Sequence, residues 1–338
     1  MTEPITTTPR RRPITAAAAE LLAPDPVWIP PTPSPVEIVA GIASGTVAGF
    51  ASPVLGPVVL AALGGLRDDR PLPDPAIDAG DPGWFGPDSV AWRVHADPAL
   101  LVAGIAAFTL QSLHPLAMAG VAEHSAFSED FLGRTRRTAQ FVQGVVYGSS
   151  RQAERLCRTV YKVHEQVVGV TPDGRPYAAN DPDLLHWVHV AEYLTIVSAH
   201  RRFSATPMSM REVDRYIHEV ARVGVGTGVI DPPRSWSDMC AAVEHHRPML
   251  AIGEYAAAGV GFLDDPPIIP GPAKPIWRAL WAGAVASLPP VARRLLRLDA
   301  PSTAELAACR VVLRMFSSIG DTPPPLVAAR LRLGLPSD

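Results

Sequence analysis

Between residues 113 and 200 the chain carries polar side chains where an apolar helical pattern would bury them. They read Leu113-His114-Pro115, Glu123-His124-Ser125, Arg134-Thr135-Arg136-Arg137-Thr138, His164-Glu165-Gln166-Val167-Val168-Gly169 and Trp187-Val188-His189. Imidazole and guanidinium groups aimed into an apolar interior need partners, because burying an unpaired polar or charged group is costly. A bound metal, or a cofactor that contains one, supplies both a ligand position and counter-charge.

Ala153, Leu156, Cys157, Val160, His164 and Val167 recur at spacings of three and four. They form the core-facing stripe of an amphipathic helix. A neutral imidazole on that stripe either bonds a backbone carbonyl or serves as an axial ligand to haem iron. Spacing alone leaves both open and favours the plain core histidine. Arg134, Arg137, Thr138, Phe141 and Val145 share a face by the same spacing. Two arginines beside Phe141 and Val145 require anions, either cofactor carboxylates such as haem propionates or a protein Asp or Glu.

His186, His189, Tyr193 and His200 fall near one face of a third helix. His189 and Tyr193 are one turn apart, but no HExxH pattern accompanies them, so a zinc peptidase is a poor fit. His114 and His124 flank a stretch kinked by Pro115 and are positioned to line a pocket. His245-His246 read as a solvated helix end. Gly224, Gly226 and Gly228 give GxGxG without a preceding strand or a ribose-binding acid, which argues against a dinucleotide site. There is no GxSxG elbow and no P-loop.

The elements that must position these groups are helical. The 338 residues are 47% hydrophobic and 19% charged, enough for a sizeable core. A net charge of −3 argues against a nucleic-acid surface. The 37 prolines, roughly twice the usual share, cluster at segment ends, where the ring stops helices. Cys157, Cys240 and Cys309 are far apart. That excludes a cysteine zinc site and CxxCH haem attachment, and a reducing cytoplasm is the expected compartment.

Arg10-Arg11-Arg12 precedes a short apolar run interrupted by Glu20. Residues 1–35 read as a disordered Pro- and Thr-rich tail rather than an export signal. Ile38 to Leu66 carries no charge and is long enough to span a bilayer, but Pro53 and Pro57 break it. Residues 36–80 are read as two short packed helices and a loop, with peripheral membrane contact as the alternative. Residues 81–330 form the main helical domain.

Within it, Asp97-Pro98 opens a helix to about Leu113, and Pro115 kinks or restarts it. Gly133 to Tyr147 follows. Ser149 or Ser150 caps a helix that Gly169 stops. Thr171 to Pro176 is a turn. Asp181-Pro182 starts the helix to His200, and Ser209 with Glu212 opens another to Val223. Later patterns cover Asp238 to Glu244, Pro275 to Ala286, Pro290 to Leu296 and Thr303 to Ser317.

In this order and spacing the motifs resemble the MpaB-type oxygenase family, which includes the latex-clearing rubber oxygenases. The likeness runs from Phe85-Gly-Pro-Asp88 and Trp92-Arg93 through the motifs above, with Tyr147-Gly148 and Tyr177-x-Ala179, over roughly residues 85 to 300. It implies an all-α bundle with a globin-like haem-binding core and extra helices. It also implies haem b, whose iron His164 ligates, with His189 the second choice. Arg134 would lie near the haem carboxylates. Arg137, Thr138 and a carboxylate base, Glu123 or Glu129, would act on the distal side. Rubber oxygenases carry a lysine where this chain has Arg137, and an arginine cannot cap iron as that lysine can.

The reading is a haem b-dependent oxygenase that oxidises an apolar, isoprenoid-like small molecule with dioxygen and an unidentified electron donor. One alternative is a non-haem metal enzyme using His164, His189 and a carboxylate. Another is a haem- or lipid-binding helical protein without turnover.

Overall fold

The computed structural model describes residues 28–34, 74, 76–125, 130–319 and 322–337. The apolar segment 36–66 and Glu129 lie outside the described residues. Thirteen α-helices follow one another among them, with one two-stranded hairpin, so the chain is all-α. The helices are α1 Val90–His95, α2 Ala99–Gln111, α3 Pro115–His124, α4 Phe131–Tyr147 and α5 Ser150–His164. After the hairpin come α6 Pro182–Phe203, α7 Met210–Gly226, α8 Trp236–His246, α9 Glu254–Asp264, α10 Lys274–Ser287, α11 Pro290–Leu296, α12 Thr303–Ile319 and α13 Pro324–Arg332.

The caps are local chemistry. Ser149 Oγ accepts from Gln152 N, and Ser209 with Glu212 closes a reciprocal capping box at the start of α7. Asp130 caps α4 two residues earlier than the apolar pattern suggests, through Gly133 N at 3.1 Å. Glu219 accepts from Val90 N and Ala91 N at 3.2 and 2.9 Å, placing a carboxylate at the start of α1. Pro115 restarts the chain as α3, bent 108° from α2. No single described helix is long and apolar enough to cross a membrane.

The helix α6 is the axis of the molecule. It packs along α2 and touches α3, α7, α8 and α10. It is buried nearly all round, as a helix enclosed by others must be. Fully buried side chains such as Leu110, Leu113 and Ile217 each contribute roughly 1.5–3 kcal/mol of apolar burial. Within the stretch read as a tail, residues 28–34 lie against this body. Trp28 stacks obliquely on Trp236 at 6.0 Å, and Arg201 Nε donates to the Pro30 carbonyl at 3.1 Å.

Two local expectations are corrected. The helix from Ser150 ends at His164 instead of running to Val168. The β-branched run beyond it pairs as β1 Val168–Val170 with β2 Pro176–Ala178, antiparallel, with Gly169 opposite Tyr177. The Thr171 to Arg175 turn closes that hairpin, and hairpin pairing outcompetes two more residues of helix. The second correction is His246. It is fully buried, while His245 beside it is exposed.

Candidate active site

The hairpin and three helix ends bring the polar motifs together. Tyr177, on the inner face of β2, donates to Glu123 Oε2 at 2.6 Å. Its hydroxyl also meets His124 Nε2 at 3.1 Å, and that same nitrogen lies 3.2 Å from the Val168 carbonyl. Tyr255 at the start of α9 donates to Glu123 Oε1 at 3.3 Å. Glu123 therefore anchors two phenols from different elements. Burial, reinforced by the Glu123 carboxylate, pushes the Tyr177 pKa up to about 12. Gly120 lets α3 approach the hairpin, since an added Cβ there would stand 3.3 Å from Val167 and 3.6 Å from Tyr177.

Next to this cluster Arg134 donates to Ser125 Oγ, and its guanidinium lies over the Phe108 ring at 5.7 Å. It has no carboxylate partner among the described residues. Burial, with the Arg137 charge added, lowers its pKa. A half-buried cation held by a hydroxyl and an aromatic face retains capacity for an anion.

His164 ends α5, where the Ala153, Cys157 and Val160 stripe points inward. Its Nδ1 is sealed inside without a hydrogen-bond partner. Burial lowers its pKa, so the ring is held neutral, the form that ligates metals. The chain leaves His164 directly for β1, and His124 then ties Val168 back to α3. Val167 and Val168, just after His164, meet α3 at Gly120 and His124, and Arg134 meets its end at Ser125. A neutral imidazole with an unsatisfied nitrogen and a cation without a carboxylate partner among the described residues are the chemical types that haem iron and haem carboxylates take.

The other predicted residues are placed differently. Arg137 is exposed and pairs with Asp130 at 3.0 Å, and Thr138 is exposed. The face that spacing gave to five residues buries Val145, half-buries Arg134 and Phe141, and leaves Arg137 and Thr138 to solvent. His189 sits in the core against Tyr193 at 4.6 Å between centroids, with Nε2 unpartnered. Gly224 of α7 makes room for it, while Gly226 clears Trp84 and Gly228 clears Tyr161. Burial takes the His189 pKa down to about 3. Among the described residues no three His, Cys, Asp or Glu side chains are grouped to hold a metal ion, so nothing there favours a non-haem centre of His164, His189 and a carboxylate.

Sequence reasoning missed two features. Glu192, one turn beyond His189, has no side-chain partner among the described residues, and burial raises its pKa to about 7. Its flanking apolar residues on α6 were the available signal. The second is a histidine group on the N-terminal side of α6. His186 Nδ1 and His246 Nε2 share a hydrogen bond at 2.8 Å, and His114 lies 6.4 Å from His246 with both nitrogens unpartnered. Trp187 packs on His246 at 5.3 Å.

The family profile described as "ER-bound oxygenase mpaB/B'/Rubber oxygenase, catalytic domain" matches residues 92–318. The match runs from within α1 to within α12. Neither a curated protein nor a solved structure matches the chain.

Proposed function

The chain belongs to the mpaB/rubber oxygenase catalytic family, and from that premise we propose that it is a haem b-dependent oxygenase acting on an apolar, isoprenoid-like small molecule. Membership supports an oxygenase, and the residues carry the finer reading. The carrying observation is His164, a neutral imidazole on the buried side of α5 with a sealed, unpartnered Nδ1. His164 holds the iron in this proposal, and Arg134 holds a haem carboxylate. Haem b, when bound, supplies the iron that activates dioxygen.

The protein's own contributions follow from placement. Phe108, under the Arg134 guanidinium, and Met118, both beside Gly259, supply apolar surface next to the polar cluster. Glu123 holds a proton acceptor at Oε1 and Oε2, oriented by Tyr177 and Tyr255. Arg137 and Thr138 lie on the solvent side and take no part in this proposal.

Haem-reconstituted protein is tested for oxygen uptake with a reductant and an isoprenoid oligomer. Uptake that depends on both haem and oligomer supports the reading. Haem binding without uptake for any alkene would make the protein a carrier instead.

A further inference from the structure

The helix that ends in His164 carries a different surface on its outer side. Opposite the buried Ala153 and Cys157, the exposed residues Arg155, Arg158 and Lys162 stand at successive turns. Their side chains have no ion-pair or hydrogen-bond partner among the described residues. Arg151, one turn earlier, is already paired with Asp78 at 3.0 Å. The exposed carboxylates of the same helix end, Glu154 and Glu165, are fewer than the free cations.

Directly beyond them along the chain, the exposed residues turn apolar. Val163 is 56% exposed, Val168 54% and Val170 60%. The two hairpin valines alternate with Gly169, whose partner Tyr177 faces inward. The outer face of the hairpin is therefore Val168, Val170 and Pro176. Arg175 at its turn is neutralised by Asp173 at 2.9 Å.

We propose that the outer face of α5 and the hairpin docks on an anionic phospholipid surface, through the free cations of the helix and the exposed valines beside them. An acidic protein would satisfy the cations alone. A bilayer interface takes both kinds of group, cations at the headgroups and aliphatics at the acyl boundary. The proposal does not depend on the oxygenase reading, although such docking would set the His164 helix against the layer where apolar substrates dissolve.

The test is flotation of the full chain with vesicles of phosphatidylcholine, with and without phosphatidylserine. Two variants accompany it, Arg155→Gln/Arg158→Gln/Lys162→Gln and Val168→Ser/Val170→Ser, with far-UV circular dichroism to verify folding. The wild type floats with the serine-lipid vesicles at low salt and is released as ionic strength rises. The triple variant loses roughly a hundredfold in partition, about fivefold per charge, and the double variant also weakens. A wild type that stays in solution, or that floats equally with phosphatidylcholine alone, overturns the proposal. So does a triple variant that floats undiminished, which would move membrane contact to another surface such as residues 36–66. Retention on polyglutamate without vesicle binding would assign the face to an acidic protein instead. None of these outcomes involves haem, so they leave the oxygenase reading standing or falling by its own test.

Discussion

The Tyr177 hydroxyl and the Glu123 carboxylate meet at 2.6 Å, tying the only hairpin among the described residues to the end of α3 beside Arg134 and its partner Ser125. The bond fixes the segment that follows His164 to the helix that orients Arg134. Tyr177→Phe removes the hydrogen bond to the solvent-exposed Glu123 carboxylate and the contact with His124. It is expected to lower unfolding free energy by about 1 kcal/mol, read by urea denaturation. An unchanged midpoint would mean that the hairpin docks by apolar contact alone.

Arg134 has no carboxylate partner among the described residues, so removing it costs the haem-free protein little. Arg134→Met is expected to leave the denaturation midpoint of the haem-free protein within about 1 kcal/mol of wild type. In the same variant haem affinity falls at least tenfold, on the order of 1.4 kcal/mol. Titration with haem checks it. Equal affinities would remove Arg134 from the cofactor site.

Acid sensitivity follows from the buried histidines. Burial holds His114 and His246 at about 4, below an unfolded value of about 6.5. Between those limits the unfolded chain binds more protons, so stability falls as pH drops. The stabilisation is complete above about pH 6.5 and lost as pH falls toward about 4. Each group accounts for about 3 kcal/mol. Denaturation midpoints measured from pH 7 to pH 4 should fall steeply, and His114→Phe should flatten the fall. A flat wild-type profile would contradict the burial of this group.

Gly224 faces His189 closely. A Cβ at residue 224 would stand 2.9 Å from His189 Cε1 and 3.1 Å from Pro232 Cβ. Gly224→Ala is expected to cost about 1–3 kcal/mol through overpacking, measured as a lowered thermal midpoint. In the haem-loaded protein its absorption bands stay at the wild-type positions if His189 is structural. A shifted band would bring His189 to the iron.

Much of the frame was legible because it is local. Ser149, Ser209 and Glu212 announce helix starts by their own hydrogen bonds, and the stripe from Ala153 to Cys157 and Val160 carries His164 with it. What escaped is tertiary. Arg134 and Arg137 are three residues apart in a helix start crowded with polar side chains, and tertiary partners separate them: Arg134 meets Ser125 and Phe108, and Arg137 meets Asp130. His245 and His246 are alike in sequence, and α6 decides which is buried. Val167 and Val168 suit helix and strand alike until Tyr177 arrives opposite Gly169. The contacts of Glu123 come from residues 54 and 132 positions away, beyond any local pattern.

The central claim is that His164 holds haem iron, and the absorption spectrum of the purified, haem-reconstituted protein tests it most directly, with a pyridine haemochrome assay on wild type, His164→Ala and His189→Ala. The account predicts a Soret band and haem b in the wild type, lost or shifted in His164→Ala and unchanged in His189→Ala. A wild type that takes up no haem, or a His164→Ala spectrum identical to it, would contradict the account.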